Sequence, residues 1–221
     1  MRFVALPSCA DAEGGRLLVQ ICTELEVPLI FDEIAAAFRI APGGAQELYG
    51  VEPDLCCLGK VIAGGFPMAA VGGKAEFMEV FDTSKTQLPQ IGTFNGHPVA
   101  AAAGIAAMAE LTAEGGFDSA MRHGEKLMAG IAKILDDAGL PHQVIGPPTL
   151  FDFFLIESEV VDYRGEFLSN RDLKAAIIEA MKGHGVYKAG IKFYPSAAHT
   201  DEDAAWTLRA FEAAVAEATG Q

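Results

Sequence analysis

A chain of 221 residues, 51% hydrophobic and 21% charged, has the composition of a folded protein with room for one sizeable core or two small ones. Its formal charge of −14 opposes nucleic acid and anionic membrane surfaces, so neither is expected as a partner. The four cysteines, Cys9, Cys22, Cys56 and Cys57, show no metal-ligand spacing, and no secretory leader is read after Met1, which together point to reduced thiols in a cytoplasmic protein.

In chain order, residues 3–6 (FVAL) read as the end of a strand. Asp11 is placed to cap a helix reaching about residue 26, with Leu17, Leu18, Ile21, Cys22 and Leu25 on one face and Pro28 beyond its end. Leu29-Ile30-Phe31 is an apolar run without alternation, the pattern of a strand covered on both faces. It closes on Asp32 and Glu33. This strand–helix–strand rhythm is that of a parallel α/β sheet. Residues 41–50 (APGGAQELYG) read as loop and 55–58 (LCCL) as a second buried strand, with Lys60 just after it and a glycine-rich turn at 64–67. A further strand at 68–71, a short helix at 74–81 and a polar connection over 82–92 follow. Pro98 opens a helix to about residue 114, suited by its alanines and Gly104 to close approach of another backbone. Its most apolar part, 98–108, is too short to span a bilayer.

Gly115 and Gly116 suggest a boundary, giving a domain over 1–115 and a smaller α+β domain over 116–221. In the latter a helix is expected over 117–138, then strands at 143–145 and 150–156. Ser169 or Asn170 can cap a helix to residue 183, and short extended pieces fill 187–193. Thr200 caps the last helix, with Asp203 placed to complete a capping box and Ala204, Leu208, Phe211 and Val215 facing inward.

Lys60 and Asp32 each end a buried strand, where the binding sites of parallel sheets gather. A lysine amine, a carboxylate able to keep a ring nitrogen protonated, and a hydroxyl before a helix N-terminus, here Thr93, are what pyridoxal phosphate chemistry needs from a protein. Taken singly, each has a plainer reading: a solvated lysine, a solvated Asp32–Glu33 pair, a threonine serving a turn. His97, His123, His142, His184 and His199 have no metal-ligand spacing, and Arg39 reads as a surface ion pair or a contact for a substrate carboxylate. No phosphate-binding P-loop, dinucleotide GxGxxG or GxSxG elbow is present.

The blocks IFDEI (30–34), FRIAPGGAQELYGVEPDLCCLGKVIAGGFPMAAVGG (38–73) and GTFNGHPVAAAAG (92–104) together closely resemble the class III pyridoxal-phosphate-dependent aminotransferases, above all their glutamate-1-semialdehyde 2,1-aminomutase branch. VVDYRG (160–165) and SAAHTDED (196–203) extend the similarity over nearly the whole chain. The resemblance implies a partial fold-type I α/β protein, with a mostly parallel sheet, helices and a small C-terminal domain. It implies pyridoxal 5'-phosphate as cofactor and a small amino-acid or amino-aldehyde substrate. Lys60 matches the family's Schiff-base lysine and Asp32 its pyridinium partner. Thr93 matches a threonine that reaches the phosphate of the partner subunit's cofactor, which implies a homodimer. Ala36-Ala37 and His97 depart from the family's usual Thr-Gly and Asn. Family members are about twice this length, and the part not matched carries their phosphate-gripping loop and ring-stacking aromatic. A catalytically inactive fragment or an interaction module is the other expectation.

Overall fold

The computed structural model describes residues 12–82, 84–85, 89–188, 190 and 192–220. The strand expected at 3–6, the Asp11 cap and Cys9 lie outside them. The chain divides into two compact units between Glu114 and Gly115.

The first unit opens with helix α1 (Ala12–Glu24). It ends before Pro28 because Glu26 turns left-handed at φ +50, letting Val27 N–H return to the Cys22 carbonyl at 2.9 Å. Strand β1 (Ile30–Asp32), helix α2 (Gly44–Tyr49), strand β2 (Leu55–Leu58), a 3-10 turn (Lys60–Ala63) and strand β3 (Ala70–Gly73) follow. Helix α3 (Ala75–Met78) passes into a second 3-10 turn (Glu79–Phe81), and helix α4 (Pro98–Thr112) closes the unit. The sheet runs β1-β2-β3, with β1 and β2 parallel and β2 and β3 antiparallel. This is a partial α/β sheet, in which one parallel pair carries an antiparallel neighbour. Leu29 and Phe31 are almost fully buried, in keeping with a strand covered on both faces.

Helix α2 corrects the expectation of loop at 41–50. Gly-rich flanks hide it in the sequence, but Glu33 supplies its cap from a distance. The Glu33 carboxylate accepts the backbone N–H of Ala45 at 2.9 Å and of Gln46 at 3.2 Å, satisfying amides that a helix N-terminus leaves open. Glu33 is therefore 1% exposed and not part of a solvated pair. Strand β3 starts two residues later than expected, and α3 is shorter than 74–81 because its last turn tightens to 3-10 geometry.

The second unit contains helix α5 (Gly116–Asp137), an antiparallel pair β4 (Gln143–Ile145) and β5 (Asp152–Phe154), and helices α6 (Tyr163–Glu166), α7 (Arg171–Gly183) and α8 (Asp201–Thr219). Its core joins Leu127, Ile131 and Leu135 of α5 with Ile177 and Met181 of α7 and Phe211 of α8. Phe151 stacks on Phe193 at 4.8 Å between ring centres, and Phe153 meets Phe211 edge-on at 5.2 Å. Gly124 lets α5 touch the chain at Pro148, whose carbonyl a Cβ would strike at 2.0 Å. Asn170 caps α7 and Thr200 caps α8, the latter in a complete capping box with Asp203.

Candidate active site

Asp32 is the last residue of β1 and pairs in register with Cys57 of β2. The parallel ladder continues one step beyond, Glu33 N–H donating to the Cys57 carbonyl at 3.0 Å. Asp32 is exposed, and its Oδ1 accepts the Ile34 N–H at 3.1 Å, which holds the carboxylate over the strand end. The neighbouring Cys57 thiol is pushed up in pKa, first by burial and then by the Asp32 charge.

Lys60 follows β2 after the single residue Gly59. Its backbone is left-handed, φ +48, a conformation that costs a side-chain-bearing residue about 1–2 kcal/mol. The strain is held by packing. Helix α4 lies on the 3-10 turn that Lys60 begins, and a Cβ on Gly104 would stand 2.8 Å from the Ile62 carbonyl. The alanine-rich helix thus meets another backbone closely. Lys60 is exposed and makes no ion pair with the described residues.

Thr93 is exposed in the turn before α4, where Gly92 and Phe94 carbonyls accept N–H groups of Asn95 and His97 at 3.0 and 3.1 Å. His97 caps the helix, its Nδ1 accepting the Ala100 N–H at 3.3 Å, so the residue that departs from the family's asparagine keeps a cap. A cleft of about 960 Å³ opens beside this turn, walled by Ile34, Cys57, Met68, Thr93, Phe94 and Ala100 among others. The structure brings Thr93 into this cleft with the neighbours of Asp32. Asp32 and Lys60 stand at the adjoining strand ends and do not wall it. No Lys or Arg is among the described residues lining it.

Glu33 and Gly104, which fix the strand end and the lysine turn, carry no motif of their own. Only the apolar run before Glu33 and the small-residue stretch of α4 hint at them. Arg39 Nη1 donates to the Ala35 carbonyl at 2.8 Å, tightening the turn after β1.

The family description Aminotransferase class-III matches residues 10–215. A glutamate-1-semialdehyde 2,1-aminomutase from Methanothermobacter thermautotrophicus is 39% identical over 209 residues, covering 92% of this chain and 49% of its own length. An omega-transaminase from Sphaerobacter thermophilus superposes with TM-score 0.89 at 37% identity, over 96% of this chain and 49% of that one. A transaminase solved with PLP bound gives TM-score 0.85 at 29% identity, over 97% and 49%. The chain spans about half the length of the curated relatives it matches.

Proposed function

Because the chain belongs to the class-III aminotransferase family, we propose that it carries the lysine and carboxylate of a pyridoxal 5'-phosphate-dependent aminotransferase or 2,1-aminomutase acting on a small amino acid or amino-aldehyde. The observation that carries this reading is the pair of strand ends. Asp32 closes β1 beside Cys57, and Lys60 leaves β2 three positions later in a strained, left-handed turn. Strain of this kind persists where packing over-determines it, and it gathers at functional sites.

The residues fit the cofactor in part. The cleft has room for a planar ring, and an amine, a carboxylate and a hydroxyl stand in or beside it. When bound, pyridoxal 5'-phosphate supplies an electrophilic aldehyde carbon and a ring that draws electrons from a substrate's Cα. Lys60 Nζ is the amine that would hold the cofactor at its aldehyde end, and as a base it would take up and return a substrate proton. The Asp32 carboxylate keeps a proton on the ring nitrogen. Thr93 Oγ1, at the exposed turn, would help hold the phosphate of a partner copy's cofactor, which makes a homodimer the expected assembly, in the cytoplasm.

Borohydride reduction in the presence of the cofactor tests this. The expected result is cofactor fixed on the peptide containing Lys60 and none fixed in Lys60→Ala. Label on a different lysine overturns the assignment.

A second reading, a catalytically inactive piece or interaction module, is favoured by the lack of cationic residues in the described cleft wall. An absorbance titration with pyridoxal phosphate separates the two.

A further inference from the structure

We propose that His97 is a second donor to the phosphate assigned to the Thr93 turn, its Nε2–H and the Thr93 hydroxyl together gripping one tetrahedral oxyanion in the cleft that both residues line. The proposal builds on the phosphate role given to Thr93 and is independent of the roles given to Lys60 and Asp32.

Local folding brings the two side chains onto one compact turn. Residues 92–98 read GTFNGHP. The Asn95 N–H donates to the Gly92 carbonyl at 3.0 Å and the His97 N–H to the Phe94 carbonyl at 3.1 Å, so two short turns follow one another. Gly96, at φ +66, makes the reversal without strain, and Pro98 then opens α4. Thr93 and His97 therefore reach the same cleft although four residues separate them.

The helix cap fixes which imidazole nitrogen carries the hydrogen. His97 Nδ1 accepts the Ala100 N–H at 3.3 Å, and an accepting nitrogen is bare. The neutral ring then holds its N–H on Nε2. That donor has no partner among the described residues, and neither has Thr93 Oγ1. Asn95, between them, is engaged, its Nδ2 donating to the Gln90 carbonyl at 3.2 Å. The Phe94 ring lies tilted against the imidazole, 6.1 Å between centres, which limits the swing of the ring. An asparagine at position 97 could cap the helix through its side-chain oxygen, but its amide nitrogen would end one bond closer to the backbone than Nε2.

Charge sets the class of ligand. Among the described residues lining the cleft there is no Asp or Glu to repel an oxyanion and no Lys or Arg to neutralise one. The Cys57 thiol, which also lines the cleft, is pushed up in pKa by burial and then by the Asp32 charge, and so stays uncharged near neutral pH. A phosphate here must be met by neutral donors, and a hydrogen bond to a charged acceptor is stronger than one between neutral groups. A purely apolar ligand would leave both donors unmet.

The test is an NMR titration of the full chain with inorganic phosphate at about pH 8, where an imidazole is neutral. It reads the ring nitrogens of His97, assigned through His97→Ser. The free chain is expected to show the proton on Nε2, and phosphate to move that signal saturably in wild type and in Lys60→Ala. Pyridoxal 5'-phosphate should move it too, and pyridoxal without the phosphate should leave it in place. In His97→Ser, whose hydroxyl still caps α4, phosphate affinity falls about tenfold, the effect of one lost hydrogen bond to a charged group, while the urea midpoint stays close to wild type. Thr93→Val should weaken phosphate by a similar factor. A His97 signal that stays still with phosphate and with pyridoxal 5'-phosphate overturns the proposal, even if His97→Ser fails to fold. So does equal phosphate affinity in wild type and His97→Ser, or an equal response to pyridoxal. A still His97 signal with borohydride labelling of Lys60 intact refutes this proposal alone, and lost labelling with the phosphate response intact refutes the lysine assignment alone.

Discussion

Gly104 of α4 lies against the backbone of Ile62, two residues beyond Lys60, so closely that a Cβ would stand 2.8 Å from the Ile62 carbonyl and 2.8 Å from Met68 Cε. Met68 can move; the carbonyl belongs to the turn that presents Lys60. Gly104→Val is expected to push helix and turn apart and to lower stability by about 1–3 kcal/mol, the usual cost of overpacking. Gly104→Ala should act in the same direction with smaller effect. Urea unfolding at unchanged slope reads the loss, and wild-type stability in Gly104→Val would contradict the contact.

Glu33 is a structural carboxylate standing next to a candidate functional one. It accepts from Ala45 N, Gln46 N and Gln46 Nε2, so its removal leaves α2 with open amides in a buried setting. Glu33→Ala is expected to cost about 1–3 kcal/mol and to raise hydrogen exchange at Ala45 and Gln46 first. Asp32→Ala, at an exposed side chain, should leave both nearly unchanged.

This contrast shows what the sequence could and could not say. Leu29-Ile30-Phe31 and Leu55-Cys56-Cys57-Leu58 announce strands because buried strands need unbroken apolar runs, and Thr200 with Asp203 announces a cap because the reach is only three residues. Helix α2 escaped because its cap, Glu33, comes from 12 residues away and its ends are glycines. At the candidate site, Lys60 and Asp32 were legible by their positions at strand ends and by the resemblance. The left-handed backbone of Lys60 was not, since a lysine carries no signal for positive φ. The Asp152–Lys174–Lys188 cluster was equally hidden, because residues up to 36 positions apart meet only through tertiary packing.

That cluster makes a pair of mutations diverge. Asp152→Asn leaves two buried ammonium groups facing each other, and a loss of about 3–5 kcal/mol is expected. Lys188→Met leaves Asp152 paired with Lys174 and should be nearly neutral or stabilising. Similar losses in thermal and urea unfolding for both variants would contradict this asymmetry.

The same lysine gives a pH dependence with a definite sign. Burial pushes the Lys188 pKa below its ordinary 10.5, outweighing the attraction of Asp152. Between the folded value and 10.5 the unfolded chain binds more protons, so stability attributable to Lys188 rises with pH through that window. Below the folded value the penalty of the buried charge is fully present. Lys188→Met is expected to flatten this alkaline-side rise in urea midpoints, whereas an unchanged slope would place the lysine in water.

Cofactor affinity is expected to be weak in the isolated chain. A phosphate dianion is held firmly by charge-assisted donors, and the described cleft wall offers Thr93 and His97 but neither Lys nor Arg. Absorbance titration should saturate only well above micromolar pyridoxal phosphate; tight stoichiometric uptake would show that the phosphate finds cations elsewhere in the chain.

Cys57 offers a reporter for the strand-end pairing itself. Its thiol is pushed up by burial first and by the Asp32 charge next, and it lines the cleft. Only the thiolate reacts with iodoacetamide, so alkylation of Cys57 should rise at higher pH than that of an ordinary thiol. Asp32→Asn removes a negative charge beside it and should move the profile to lower pH, while added pyridoxal phosphate should slow Cys57 and spare Cys22. The charge effect tests whether the Asp32 carboxylate stands beside Cys57, and the protection tests whether the cofactor enters between β2 and the Thr93 turn. An unshifted profile in Asp32→Asn would move the carboxylate away from the strand end, and with it the argument that Asp32 and Lys60 serve one ring.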